Sequence, residues 1–236
     1  MISQRINKVI ANHGVCSRRK VDLMIMEGKV LVNGSLAEVG MKVNPLSDSI
    51  YINGKELKNK KVNSQTILLN KPKNVVTTCL DKHNRKTVID FLPKKYKNGF
   101  FPIGRLDFLS RGAILITNNG DICYKLSHPK FKHKKIYIVE MSGDLKKNDL
   151  YNWRSGMNLD GKKTNPCEIE IIKKYSNNFL LKITLSEGRN RQIRRIASLF
   201  GYKVIDLQRI NFADISLGNL KEGEWKLINN SKFENI

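Results

Sequence analysis

The 236-residue sequence predicts an α+β protein in two parts: a small helix-then-hairpin unit, then a larger unit on a mainly antiparallel, mixed sheet. Three observations lead there. Two short apolar stripes at helical spacing open the chain and give way to two β runs that each end in Asn-Gly. Farther on, alternating segments such as NFLLKITL (178–185) recur with few helical patterns between them. Between the parts lies KELKNKK (55–61), polar, basic and suited to a linker, which sets the expected domains at 1–62 and 63–236.

Taken in order, Ile6, Val9, Ile10 and His13 share one helical face, and Gly14 ends it. Ser17 is a good N-cap for a second helix, in which Val21, Met24 and Ile25 form the stripe up to Glu27-Gly28. Arg18, Arg19 and Lys20 fill its first turn, where the helix dipole disfavours cations and an approaching phosphate would relieve the cost. Val30-Leu31-Val32 before Asn33-Gly34, and Ile50-Tyr51-Ile52 before Asn53-Gly54, read as hairpins.

The second part resumes with Ile67-Leu68-Leu69-Asn70-Lys71, a buried strand stopped by Pro72, and residues 87–93 read as a short helix. Ala113-Ile114-Leu115-Ile116-Thr117 reads as another buried strand, closed by a turn at Asn118-Asn119-Gly120-Asp121. Residues 134–140 alternate as a strand, 147–156 form a helix with Leu150 and Trp153 inward, and 178–185 alternate again. In EGRNRQIRRIASLFG (187–201), Ile193, Ile196, Ala197 and Phe200 make one helical face, while four arginines crowd its start. Cations there oppose the dipole, so a carboxylate or phosphates are implied as partners. Residues 217–227 supply turns and a strand, and 229–236 are expected to fray.

Charge narrows the function. With 43 Lys and Arg against 21 Asp and Glu the net charge is +22, and the pI is near 9.9. Such a balance points to a polyanionic partner, because neutralising phosphates releases counterions. An anionic membrane is the weaker reading, since no long basic amphipathic helix stands out. No apolar run reaches membrane-spanning length, and the first residues lead into a patterned helix without a signal peptide, so the expected location is cytoplasmic. Cys16, Cys79, Cys123 and Cys167 are widely spaced and no histidine sits at ligand spacing; neither a metal, a disulfide framework nor a cofactor is expected. His13, His83, His128 and His133 are given no catalytic role.

Against that background one carboxylate stands out. In FPIGRLDFLSRGAILITNNGD (101–121), Asp107 lies in a loop between Gly104 and Gly112 that leads into a buried strand. From the residues alone it is either a turn cap paired with Arg105 or a reactive group.

Two resemblances bear on the choice. The helices with Ser-Arg-Arg-Lys and the two Asn-Gly hairpins, over residues 3–58, resemble the S4-type RNA-binding module, which implies that Arg5, Arg18, Arg19 and Lys20 dock on structured RNA. GRLD (104–107) with Ser110 and Gly112, then LITN (115–118) and Gly120-Asp121, Lys135-Ile136-Tyr137 and GRNRQIRR (188–195), resemble the pseudouridine synthases of the RsuA/RluB/RluF type. The resemblance implies that Asp107 is the catalytic aspartate, that Tyr137 stacks against the target base and that Arg194 pairs with the aspartate. Arg105 would help hold the flipped nucleotide's place, with Arg189, Arg191 and Arg195 on the RNA-binding surface. Ala113 stands where a larger aliphatic residue is usual, and Arg111 is more basic than the usual occupant.

Isomerising uridine means breaking the N-glycosidic bond, turning the base and rejoining it through C5. A carboxylate serves by attack at C1′, by attack at C6 or by assisting C2′ deprotonation, and the residues leave all three open. The expected substrate is large-subunit (23S) ribosomal RNA or an assembly intermediate, bound by a monomer. Small-subunit (16S) RNA is the alternative, and a non-catalytic RNA-binding or ribosome-assembly factor is the rival from another class. DNA binding fits the charge but leaves Asp107 without a role.

Overall fold

Residues 3–58 and 63–233 are described by the computed structural model, and their apolar side chains gather in three clusters. The first draws only on residues 6–57. Helices α1 (Ile6–Asn12) and α2 (Arg18–Met26) bury Ile6, Val9, Ile10, Val21 and Ile25 against Val30, Val32 and Ile50. Ser17 caps α2 by accepting from the Lys20 amide at 3.3 Å. Strands β1 (Val30–Val32), β2 (Ser35–Leu36), β3 (Ile50–Ile52) and β4 (Lys55–Glu56) form one sheet in the order β2-β1-β3-β4. Both Asn-Gly pairs have positive φ at each residue, the geometry of type I′ turns whose twist matches the strands they join.

The start of the expected linker is therefore structured. Lys55 and Glu56 pair with Ile52 and Tyr51, and the Leu57 amide donates to Ile50 O at 2.7 Å. Residues 59–61 of that linker, together with Val62 and the expected 62/63 boundary, lie outside the described residues.

The larger unit holds a nine-stranded sheet. Its strands are β5 (Thr66–Lys71), β6 (Phe101–Ile103), β7 (Arg111–Thr117), β8 (Lys135–Ser142), β9 (Glu168–Lys174), β10 (Asn178–Leu185), β11 (Lys203–Phe212), β12 (Ile215–Ser216) and β13 (Trp225–Ile228). The order is β9-β10-β8-β11-β7-β5-β13, with β12 on β11 and β6 on β7, and of these pairs only β11 and β7 run parallel. Ile67, Leu69, Ile114 and Ile116 face a core shared with helices α4 (Lys147–Ser155) and α5 (Gln192–Leu199). Leu68, Ala113 and Leu115 face the other way, toward Phe212 and Leu126 of α3 (Gly120–Ser127). Covering both faces explains why β5 and β7 read as unbroken apolar runs rather than alternating ones.

Three expectations need correction. Asn118-Asn119-Gly120-Asp121 does not close a turn. Asn119 caps α3 instead, its side chain accepting from the Asp121 and Ile122 amides at 2.9 and 3.2 Å, while Leu126 anchors the helix in the core. Strands β9 and β11 went unread, because charged residues at exposed positions dilute their alternation. Nor does the C-terminal segment fray throughout: Asn230–Phe233 form a 3-10 turn, Phe233 is buried, and Asn230 Nδ2 donates to Ser64 O at 2.7 Å. Residues 234–236 lie outside the described ones. Among the described residues no helix is long and apolar enough to cross a membrane.

Candidate active site

The loop that carries Asp107 is held by its main chain. Gly104, at φ +69°, turns the chain out of β6. From there five consecutive carbonyls each accept a hydrogen bond. Leu106 O accepts from Thr77 Oγ1 (2.7 Å), Asp107 O from Lys71 Nζ (3.2 Å) and the Ser110 amide (3.0 Å), Phe108 O from the Asn74 amide (2.8 Å), Leu109 O from an Arg194 Nη (3.1 Å), and Ser110 O from Lys71 Nζ (2.7 Å). Lys71 Nζ also donates to Pro72 O at 2.9 Å, so a side chain with 0% exposure spends all three donors on carbonyls. Burial lowers its pKa to about 8, although the Asp107 charge pulls the other way. The Asp107 carboxylate, partly exposed, receives no hydrogen bond and makes no ion pair among the described residues.

Sheet register brings distant segments to this loop. Tyr137 on β8 pairs with Arg209 on β11, and Arg209 pairs with Gly112 on β7, just past the loop. A Cβ at position 112 would stand 2.2 Å from Arg209 O, and φ there is +107°, so only glycine admits this approach. Arg209 is buried, donates from Nε to Ala113 O at 2.7 Å and lies 4.8 Å from the Phe212 ring centroid. One cleft is lined by Arg105, Asp107 and Ser110 from the loop, by Lys135 and Tyr137 from β8, by Arg209, and by Arg191 and Arg194 from the start of α5. Tyr137 is 8% exposed and forms part of the wall. Burial, with the neighbouring Arg209 charge, lowers the Lys135 pKa to about 8.

The three residues expected to act together thus border one cleft, but the expected Arg194–Asp107 ion pair is not made at contact distance. Arg194 donates to Leu109 O and, at 3.4 Å, to Ser110 Oγ, because the loop offers these oxygens to the first turn of α5. Burial and the Arg191 charge lower the Arg194 pKa, while Asp107 and Asp206 oppose them through space.

The expected RNA-binding cations divide. Arg105 and Arg191 are exposed at the cleft and make no ion pair among the described residues. On the helical unit Arg5, Arg18, Arg19 and Lys20 are exposed, with Arg18 Nε donating to Asn7 Oδ1 at 3.2 Å. Arg189 and Arg195 are committed internally. Arg189 donates to the carbonyls of Leu159, Lys162 and Lys163 and so closes the Asn158–Leu159/Lys162–Lys163 hairpin, and Arg195 holds Asp160 at 2.9 and 2.6 Å. Arg111 likewise pairs with Asp206 at 2.7 Å and Glu222 at 2.9 Å.

Lys71, Thr77 and Arg209 are not singled out by the sequence, and Lys135 enters there only as part of the Lys135-Ile136-Tyr137 motif, with no role of its own. Lys71 left one legible trace, a lysine ending a strand apolar enough to be buried on both faces. Among the described residues no group of three or more His, Cys, Asp or Glu is placed to hold a metal.

Comparison with known proteins adds to this geometry. A family model described as RNA pseudouridylate synthase matches residues 65–199, and an S4 domain model matches residues 4–50. Ribosomal large subunit pseudouridine synthase B of Bacillus subtilis (strain 168) is 39% identical over 224 residues, covering 94% of this chain and 90% of that protein. The dual-specificity RNA pseudouridine synthase RluF of Escherichia coli (strain K12) is 35% identical over 225 residues, 95% of this chain and 75% of its own length. A crystal structure of a pseudouridylate synthase superposes with a TM-score of 0.70 at 27% identity, covering 98% of each chain.

Proposed function

The chain belongs to the RNA pseudouridylate synthase family and carries an S4 domain, and from that premise we propose that it isomerises a specific uridine of ribosomal RNA to pseudouridine, in the large-subunit (23S) RNA, with Asp107 as nucleophile. One observation carries the assignment of Asp107. Every carbonyl from Leu106 to Ser110 is occupied, yet the carboxylate between them is left unbonded in a cleft with Tyr137 and Arg194. A carboxylate with no structural task, on a loop this firmly held, is placed to act on a ligand. The similarity to the Bacillus subtilis large-subunit enzyme supports the choice of RNA.

In this reading the target uridine leaves its stack and enters the cleft, with its base against the Tyr137 ring, Arg105 helping to hold the place it leaves in the RNA, and Arg191 beside its backbone. The N1–C1′ bond breaks, the base turns, and a C5–C1′ bond forms; the C5 proton is released and N1 gains one. Asp107 serves the step at the sugar or at C6, and Arg194 supplies positive charge nearby. The S4 domain cations Arg5, Arg18, Arg19 and Lys20 hold the surrounding RNA by its phosphates.

Tritium release from 23S and 16S transcripts labelled with 5-tritiated uridine tests the reading. Asp107→Asn should lower release from 23S RNA on the order of 10³-fold or more, while folding and RNA affinity stay near wild type. Turnover near wild type in that variant would remove Asp107 as nucleophile. Release from 16S RNA alone would reassign the substrate, and no release from either would favour a binding factor.

A further inference from the structure

Beside the cleft lies a group of rings to which the steps above give no task. Residues 124–135, YKLSHPKFKHKK, carry five lysines and no acid, interleaved with Tyr124, His128, Phe131 and His133. They run from the second half of α3 through the 3-10 turn Pro129–Phe131 to the start of β8. Between ring centroids, Tyr124 lies 5.0 Å from His128 and 6.0 Å from Phe131, and Phe131 stacks on His133 at 6.0 Å. Bonds to the main chain hold the frame, since His128 Nδ1 accepts from the Lys130 amide at 3.2 Å and His133 Nε2 donates to Lys125 O at 3.0 Å. Phe131 and His133, both half-buried, fit the plain role of fixing a turn. Tyr124 does not, because it is 49% exposed and its hydroxyl makes no hydrogen bond among the described residues. His128 beside it is exposed as well.

Lys130 Nζ stands 5.2 Å from the Tyr124 centroid and 4.7 Å from that of Phe131. Neither it nor Lys125 nor Lys132 makes an ion pair among the described residues. An ammonium resting on exposed rings is held weakly, so a nucleobase can take its place there while the lysine turns to the phosphate that arrives with that base. On its inner side the group is continuous with the cleft, whose lining includes Ser127, His128, Pro129 and Lys132. Ring faces set among cations that lack carboxylate partners match a single nucleic-acid strand, whose bases take the rings and whose phosphates take the charges.

We propose that Tyr124, His128 and Phe131 form a stacking platform for an unpaired base of the substrate RNA, near the target uridine but outside the cleft, and that Lys130 holds the phosphate of that nucleotide. The inference rests on the reading of the chain as an RNA pseudouridine synthase. An acidic protein segment would answer to the lysines but leave the ring faces unused, whereas a single RNA strand engages both. The platform touches no reacting atom, so it acts on which RNA is held rather than on the bonds that break and form. Stacking accepts every base, and the choice it makes is therefore of shape: an unpaired nucleotide at a fixed reach from the uridine.

The probe is an RNA stem-loop spanning the modified uridine, once that is mapped, with its unpaired positions intact or made abasic one at a time; the readout is the Kd at fixed salt. Tyr124→Ala should weaken binding of the intact RNA about 5- to 100-fold, the range that one base–aromatic stack carries, whereas Tyr124→Phe, which keeps the ring, should stay within about twofold of wild type. Removing one particular base should weaken the wild type by a similar factor and abolish its advantage over Tyr124→Ala. Lys130→Gln should make the slope of log K against log salt shallower by roughly 0.7, one phosphate contact on a single strand, and an unchanged slope would remove Lys130 from the phosphate. Should Tyr124→Ala fail to fold, Tyr124→Leu keeps an apolar body against Phe131 without a ring face and should lose affinity in the same way. Equal affinity of variant and wild type would overturn the platform. So would a loss that is the same on every abasic RNA, which assigns Tyr124 to the folding of the turn. A wild-type affinity indifferent to every unpaired base, the result for a surface that takes an acidic protein segment, would overturn it too. If no ribosomal RNA uridine depends on the protein, or the wild type releases no tritium from the stem-loop, the underlying reading fails and takes the platform with it. Release by the wild type, with Tyr124→Ala bound equally well, removes the platform alone.

Discussion

Lys71→Met separates the stability of the protein from the placement of Asp107. The substitution keeps the length and apolar stem of a fully buried side chain and removes three donors. Asp107 O retains the Ser110 amide, so two carbonyls, Pro72 O and Ser110 O, lose their partner. Each orphaned carbonyl costs about 1–3 kcal/mol. Against that, burial holds the ammonium at about 8 instead of 10.5, a gap worth roughly 3 kcal/mol that the variant recovers. The two effects largely offset, and net destabilisation should fall near 0–3 kcal/mol. Activity has no such offset. Two of the five anchors of the loop weaken, and if Asp107 is the nucleophile proposed above, a displacement of about 1 Å there costs on the order of 100-fold in kcat. Urea unfolding and tritium release on the same preparations give both numbers, and a kcat within about threefold of wild type would refute the anchoring role.

The same variant reports on pH. The folded pKa of Lys71 lies below its unfolded value, so between about 8 and 10.5 the unfolded chain holds a proton that the folded chain has released. Stability of the wild type therefore rises with pH through that window, by up to roughly 3 kcal/mol. Lys71→Met lacks this rise, while Lys135, depressed in the same sense, is present in both proteins and cancels. A difference curve that stays flat from pH 8 to 10.5 would refute the desolvation of Lys71.

Two further perturbations test other parts of the molecule. Gly112→Ala should lower stability by about 3–5 kcal/mol, since its Cβ would stand 2.2 Å from Arg209 O at a φ of +107°; thermal unfolding measures it, and an unchanged Tm would mean that β7 and β11 part more easily than their register implies. Replacing Arg18 and Arg19 by alanine should weaken RNA binding and make the slope of log K against log salt shallower by roughly 1.5, the value for two lost phosphate contacts. An unchanged slope would remove α2 from the docking surface.

Much of this architecture was readable where one local rule dominates. Asn33-Gly34 and Asn53-Gly54 fold as hairpin turns because nothing competes with their left-handed preference. At Asn119-Gly120 the same two letters cap a helix, because Ile122, Cys123 and Leu126 downstream have a core to enter. That core includes Phe212 and Phe233, some hundred residues away, so no local window contains the deciding information. The site shows the same split. Asp107 announces itself between glycines, whereas Arg209 and Lys71 matter through a strand pairing and three carbonyls that exist only once the sheet has formed. Arginine density at residues 189–195 was likewise ambiguous, since a guanidinium that closes a hairpin and one that faces solvent are spelled alike.

The anchoring of the loop through carbonyls has a consequence for how such a protein can diversify. Main-chain oxygens are common to all residue types, so the hydrogen bonds at positions 108 and 109 do not depend on which side chains stand there. The placement of Asp107 and the chemistry of the loop tip are thereby written in separate parts of the same short segment. The letters at the tip can change while the Asp107 carboxylate stays where it is.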